Sequence, residues 1–351
     1  MFSKDWFGSY DDETHTLDEG RWGGLLKVQA DQWDQPVHNS YGMARAPWNN
    51  NKTPLTQRFQ ELAGESVFSA FAGWPGCENH HLFATTPMTL IDVFHNVASI
   101  THGAVHPIMG GSVDVLDSYS ALEEFITAED LVGLRAHAGR AARDLWRVGF
   151  TSCPDKCDMD TPVEECICSC GTLEEITEKV HDIELFNMAW TYGAPFLDGS
   201  NYTRDEKIRY LKVVCDAAVL IGDQAEAFSP TDVIFWPIHP TVERLMQWNM
   251  LHIGLKDEIW LDESSAYWGA FKYGSPQSCI GHGESDLLPW IMNMDDGSSE
   301  KSQYTNKEFF SLSDPSKSTY SLPYIYDSFT WDHCVQEGYN FQEKNHNELP
   351  A

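Results

Sequence analysis

Apolar residues along this chain recur mainly three and four positions apart, the period that lays one face of a helix against a core. The clearest stripe is Leu122, Phe125, Leu131, Leu134, Ala138, Ala142 and Leu145, which predicts a helix over 119–148 and reads as core packing rather than a cofactor site. Phe235, Val242, Leu245, Met246 and Trp248 predict another, with Asp232 able to cap the turn before it and His239 on or beside its apolar face. Thr172-Leu-Glu-Glu175 is a capping box opening a helix toward Trp190, and Thr203 opens the next, expected to run to Ile221. Residues 56–71 and 87–100 complete the set, the second turning Met88, Leu90, Ile91, Val93 and Phe94 inward. Residues 1–60 are rich in Gly, Asn, Pro and Trp, and the chain after Trp248 is turn-rich, so both read as irregular packed loops. The expectation is a mainly α protein.

Composition narrows the class. With 351 residues, 42% of them hydrophobic, the chain has enough apolar material for a proper core. Its formal charge of -30, from 53 acidic against 23 basic residues, argues against nucleic acid and anionic membranes, which call for clusters of Lys and Arg. No run of eighteen apolar residues spans a bilayer, and the opening segment lacks the apolar stretch of a signal peptide. Nine cysteines, five of them between Cys153 and Cys170, suggest disulfides and an oxidising compartment, with at least one thiol left over. The spacings Cys153-x-x-x-Cys157 and Cys166-x-Cys168-x-Cys170 lack the paired C-x-x-C hooks of structural zinc sites, so disulfides are favoured over zinc there. Cys279 is one candidate partner for Cys334, a bond that would pin the tail down, though the spacing leaves the connectivity open. The sequons at Asn51 and Asn201 agree with a secreted or lumenal protein.

Candidate chemistry lies in two stretches. In His102-Gly-Ala-Val-His106-Pro-Ile-Met-Gly110-Gly111 two imidazoles stand four residues apart, a spacing that on a helix stacks them on one face to bind one ion. His239 would complete a three-nitrogen set. Taken alone, His239 reads first as a hydrogen-bonded core histidine, and imidazole suits copper, zinc and iron alike.

The order of these motifs resembles that of the tyrosinase, catechol oxidase and hemocyanin family of type 3 copper proteins, in the half that holds their second copper, CuB. The pattern His-x-x-x-His-x-x-x-Gly-Gly is matched by His102, His106, Gly110 and Gly111. The later run Ser229-Pro-Thr-Asp232-Val-Ile-Phe235-Trp236-Pro-Ile238-His239, continuing to Arg244 and Leu245, places His239 on the ligating member of the family's paired histidines. Ile238 replaces the other member. Tyr41-Gly-Met-Ala-Arg-Ala-Pro47-Trp48, with Asn51, Thr56 and Arg58, is similar to the segment between the two copper motifs in many members. The likeness covers roughly residues 20–260.

The resemblance implies a type 3 copper helical bundle over 1–260, interrupted by a helical, cysteine-containing insertion at 112–228 and followed by a loop-rich extension at 261–351. It implies copper held by His102, His106 and His239; Asp232 and Arg244 are the candidates for a buried pair orienting the ligands, with a plain helix cap and a surface arginine as the equal alternative, and Phe235 and Gly103 are candidates for the pocket. It implies oxidation of a small phenol or catechol by dioxygen, and Gly103, where several phenol-hydroxylating members carry Asn, tilts the expectation toward catechols. The family's first copper site should add three histidines and a Trp-His-Arg motif before Pro47. Residues 1–40 offer only His15 and His38, which read as exposed loop. The expectation is therefore a longer chain that supplies the first copper, with a non-catalytic or truncated relative as the alternative. His80, His81 and His95 read as structural, His95 being the reserve ligand. His282, beside Cys279, has no partner spacing for a metal.

Overall fold

A computed structural model describes residues 3–24, 45–62, 65–66, 281, 283–292, 303–342 and 74–260, the last apart from 155–156, 158–159, 195–196, 198 and 227. His38, Cys279 and His282 fall outside the described residues. The chain divides into two compact units, Met1–Gly73 with Val105–Trp236, and Trp74–Ala104 with Pro237–Ala351. The stretch 112–228 lies wholly within the first unit. The described residues beyond 260 lie in the second, with 237–260.

The first unit is mainly helical. Its helices Ala128–Ala136, Ala138–Arg147, Leu173–Lys179, Ile183–Gly193 and Arg204–Cys215 bury Leu131, Leu134, Leu145, Ile176 and Leu211, with Phe150 from the loop between. Thr172 and Thr203 cap their helices through reciprocal bonds with Glu175 and Glu206, as their sequence spacing predicts. The expected 119–148 helix is broken twice. Residues Ser118–Leu122 form a 3-10 turn, Thr127 caps a fresh start by accepting from the Asp130 amide, and His137 leaves helical geometry before the next helix opens. The helix expected over 203–221 stops at Cys215, and Val219–Ile221 instead pairs antiparallel with Ser112–Asp114. Three disulfides, Cys153–Cys168, Cys157–Cys166 and Cys170–Cys215, fasten the cysteine-rich loop to itself and to the Arg204–Cys215 helix.

Two buried ion pairs tie the irregular N-terminal loops into this unit. Arg45 donates through Nε and Nη2 to both oxygens of Asp223 at 3.0 Å, and also to the carbonyls of Asn51, Thr53 and Leu55. Arg58 donates likewise to Asp232, its Nε standing 2.8 Å from Oδ2. These bonds override the helix expected over 56–71 across its described residues 56–62. The amides of Gln57, Arg58 and Phe59 donate to Asp223, to the His15 carbonyl and to the Gly110 carbonyl, so no i−4 ladder forms. Glu61–Leu62 and Glu65–Ser66 then make a short antiparallel pair. His15, expected in exposed loop, is half-buried against the Phe59 ring. Asn51 is only 1% exposed, which removes it as a glycosylation acceptor in the folded chain, whereas Asn201 is exposed.

In the second unit, helices Cys77–Thr85 and Leu90–Asn96 pack with residues from 245 onward around Phe83, Met88, Val93, Leu245, Trp248 and Trp331. The expected 87–100 helix opens as a strand, Met88–Thr89, paired parallel with Leu255–Asp257, and Phe94 turns outward at 46% exposure. Asn249 donates to the carbonyls of Phe83, Ala84 and Thr86, which the end of the first helix leaves without intrahelical partners. Trp331 stacks on Phe341 at 4.3 Å, and Arg244 lies over the Trp331 ring, donating to the carbonyls of Ser328 and Thr330. Cys334 pairs with Cys77, correcting the candidate bond to Cys279. Closing 257 residues, this disulfide removes chain entropy worth up to about 5 kcal/mol.

The fold is thus mainly α, with strands of two or three residues. Among the described residues no helix is long and apolar enough to cross a membrane. Replacing Asp223 with Ala strands a fully buried guanidinium, so Asp223→Ala is expected to lower unfolding stability by about 3–5 kcal/mol in denaturant titration. A loss below about 1 kcal/mol would show that the pair does not organise the loops.

Candidate metal centre

The segment carrying the first histidine is shaped by an unusual turn. Helix Leu90–Asn96 widens into a π-helical turn, Val97–Thr101, whose i+5 step brings His102 back toward Val97. The His102 Nδ1 lies 2.6 Å from the Val97 carbonyl oxygen. A carbonyl only accepts, so Nδ1 carries the proton and Nε2 holds the lone pair. The bend at Gly103 follows, and helix Val105–Gly110 carries His106. The two imidazoles are therefore not stacked on one helix, as their spacing suggested. His102 stands outside it, placed by the π turn.

His106 is oriented in the same way. Its Nδ1 lies 2.9 Å from the Gln224 main-chain oxygen and 3.1 Å from Gln224 Oε1. Two oxygens on one residue fix the Nδ1–H tautomer and again leave the lone pair on Nε2. The glycines beside it make this approach possible. A Cβ on Gly110 would sit 2.7 Å from the Ala225 nitrogen, one on Gly222 would sit 1.9 Å from the Gly110 oxygen, and Gly111 adopts φ +67. The Gly-Gly step thus lets the helix end meet the 222–225 turn backbone to backbone.

His239 completes the set, on helix Phe235–His252 between Pro237 and Pro240. Its ring meets that of His102 edge-on at 4.9 Å. The ligand nitrogens of His102, His106 and His239 all lie within 4.8 Å of one another, so the group can hold a metal ion. Three imidazole nitrogens, two with Nδ1 tied to a main-chain oxygen, suit copper, zinc or iron by donor chemistry.

The remaining candidates separate. Asp232 does not pair with Arg244, because its carboxylate is taken by Arg58 and by the Ile234 amide at 3.0 Å. Asp232 therefore positions the start of the ligand helix, while Arg244 serves the packing around Trp331. Phe235 lies 6.2 Å, ring to ring, from His106. Gly103 is half-buried in the bend. His80 holds the Thr101 carbonyl through Nε2, and burial lowers its pKa. His81 holds the Asn340 carbonyl, and His95 is exposed. None of these three belongs to the metal-capable groups found among the described residues.

Sequence reasoning missed Val97 and Gln224, which act through main-chain oxygens and so leave no mark in residue type. It also left Arg58 without a role, although the motif segment contains it.

Close behind Gln224, half-buried Glu226 turns its carboxylate away from solvent, with Oε2 accepting from Asn49. Burial pushes its carboxyl up to about 7, the Asp223 charge adding to the shift and the Asn49 bond and Arg45 opposing it. The folded state thus holds a proton that the unfolded chain gives up near 4.5, so this residue's contribution to stability falls as pH rises from about 4.5 to about 7 and stays low above it. Glu226→Gln is expected to flatten that slope, stabilising the protein at pH 8 by about 3 kcal/mol and changing little at pH 4. Denaturant midpoints at the two pH values check it; equal shifts at both would refute it.

Comparison of the chain with protein-family models, curated proteins and solved structures finds no match. The metal assignment therefore stands on geometry, and it makes a direct prediction. Gly222→Ala forces the 222–225 turn away from Gly110 and carries the Gln224 oxygens off His106, so metal affinity should drop about tenfold to a hundredfold. Competition against a chromophoric chelator measures it, and unchanged affinity would sink the orienting role of Gln224.

Proposed function

We propose that His102, His106 and His239 hold copper and that the chain is the CuB-bearing part of an oxidoreductase of the tyrosinase and catechol oxidase type. The observation that carries this reading is the pair of Nδ1–H bonds to the Val97 and Gln224 oxygens, which leaves Nε2 of both rings for a metal, in a group whose three ligand nitrogens lie within 4.8 Å of one another. The order of motifs around these residues supports copper over zinc or iron. When bound, copper supplies one-electron exchange with dioxygen and with the substrate.

The chain's own residues do the rest. Val97 and Gln224 accept from Nδ1, which fixes both neutral rings in the tautomer that leaves Nε2 for a metal. Arg58 and Asp232 fix the start of the helix that presents His239. Phe235, beside His106, offers an aromatic wall against which a planar phenolic ring can lie. Gly103, with no side chain at the bend, favours catechol oxidation over hydroxylation of monophenols. The net charge of -30 favours a small neutral substrate over an anionic polymer. The disulfides support a secreted or lumenal setting.

A second reading is a relative that keeps the metal-binding fold without catalysis, and copper content with turnover of a catechol tells the two apart. Oxidation of a catechol to a quinone removes two electrons, and one copper exchanges one. The copper-loaded chain by itself is therefore expected to oxidise catechol poorly, and to gain activity when an upstream segment with a second three-histidine site is fused to it. Elemental analysis should find copper in the parent and markedly less in His239→Ala. Full copper retention in His239→Ala would refute the ligand set, and fast catechol turnover by the chain alone would refute the shared-site reading.

A further inference from the structure

A second cluster of ligand-type atoms lies in the second unit, outside the histidine site. Cys77 opens helix Cys77–Thr85, and Cys334 sits in the short helix Asp332–Gln336, both buried and joined as a disulfide. His333 is exposed, and its Nε2 lies 3.3 Å from the Cys334 sulfur. The two sulfurs and a His333 nitrogen fall within 4.8 Å of one another. We propose that reduction of the Cys77–Cys334 disulfide converts this cluster into a thiolate–imidazole site for zinc, with the sulfurs of Cys77 and Cys334 and the Nε2 of His333 as ligands.

The chemistry balances with an external thiol as reductant. Two thiol equivalents give up two electrons and two protons, becoming their own disulfide, while the Cys77–Cys334 bond opens to two thiols. Zinc then displaces a proton from each thiol, and His333 coordinates as the neutral ring. Two thiolates on one tetrahedral zinc stand about 3.8 Å apart, so the freed sulfurs need only a short separation to bind. Their helices are held near each other by contacts that do not depend on the disulfide. Trp331 stacks on Phe341, His81 packs edge-on against the same ring, and Arg244 covers Trp331. The exposed side of His333 gives the ion its entry and leaves a fourth position for water. Soft sulfur with imidazole distinguishes this site from the all-nitrogen group at His102.

The test is cysteine-resolved alkylation of the whole chain after graded phosphine reduction, with and without zinc, followed by peptide mass spectrometry. Zinc is expected to slow alkylation of Cys77 and Cys334 together by about tenfold or more, and His333→Ala should abolish most of that protection while leaving the oxidised protein's stability unchanged. Equal alkylation rates with and without zinc would overturn the proposal, whether the reduced segment stays folded or opens. Protection that survives in His333→Ala would overturn the imidazole ligand. Because the readout is on the sulfurs, zinc bound at His102 does not affect it, and failure here leaves the copper reading untouched.

Discussion

Two buried guanidinium–carboxylate pairs set the frame on which the rest of the first unit depends. Each arginine comes from the irregular N-terminal loops and each aspartate from the region leading into the helix Phe235–His252. Arg45 takes both oxygens of Asp223, which also accepts from the Gln57 amide, and gathers three carbonyls of its own loop, while Arg58 takes Asp232, which also accepts from Ile234. A buried charge pair contributes little net stability over an apolar one, but losing one partner is costly, so such pairs specify arrangement more than they strengthen it. Here the arrangement they specify is local to chemistry. Asp223 is one residue before Gln224, whose oxygens orient His106, and Asp232 stands three residues before the helix that carries His239.

How much of this was legible in the sequence follows from where each signal resides. Capping boxes at Thr172 and Thr203 are side-chain codes, and both helices start where those codes place them. The histidines could be named because imidazole is the chemistry itself. Lengths were harder to read. The 119–148 stripe is apolar throughout, yet its helix breaks where Thr127 and His137 end one run of main-chain bonds and begin another. The 56–71 segment has helical spacing but surrenders its amides to Asp223, His15 and Gly110, partners distant in the chain that no local pattern reveals. The same holds for Asp232, whose partner proved to be the Arg58 quoted in a different motif rather than the nearby Arg244.

The π turn shows why spacing alone misreads geometry. Four residues between two histidines suggest one helical face, and the chain uses the interval differently. It ends a widened turn at His102, bends at Gly103, and begins a new helix for His106. The wider turn brings the His102 ring within 2.6 Å of the Val97 carbonyl oxygen, which also accepts from the Thr101 hydroxyl. A four-residue spacing can thus be built from broken secondary structure, giving the two side chains separate orientations.

The burial of Asn51 has a consequence for how the chain must be made. Its main-chain oxygen accepts from Arg45 and its side chain turns inward, yet Asn51-Lys52-Thr53 is an acceptor sequence for oligosaccharide transfer. In a eukaryotic secretory host the enzyme meets this sequence before the Arg45 loop closes, and a sugar attached then cannot enter the finished loop. The yield of native protein is therefore decided by a race between loop closure and glycan transfer. Asn201, exposed in the folded chain, takes no part in that race, because a glycan there is compatible with either order of events.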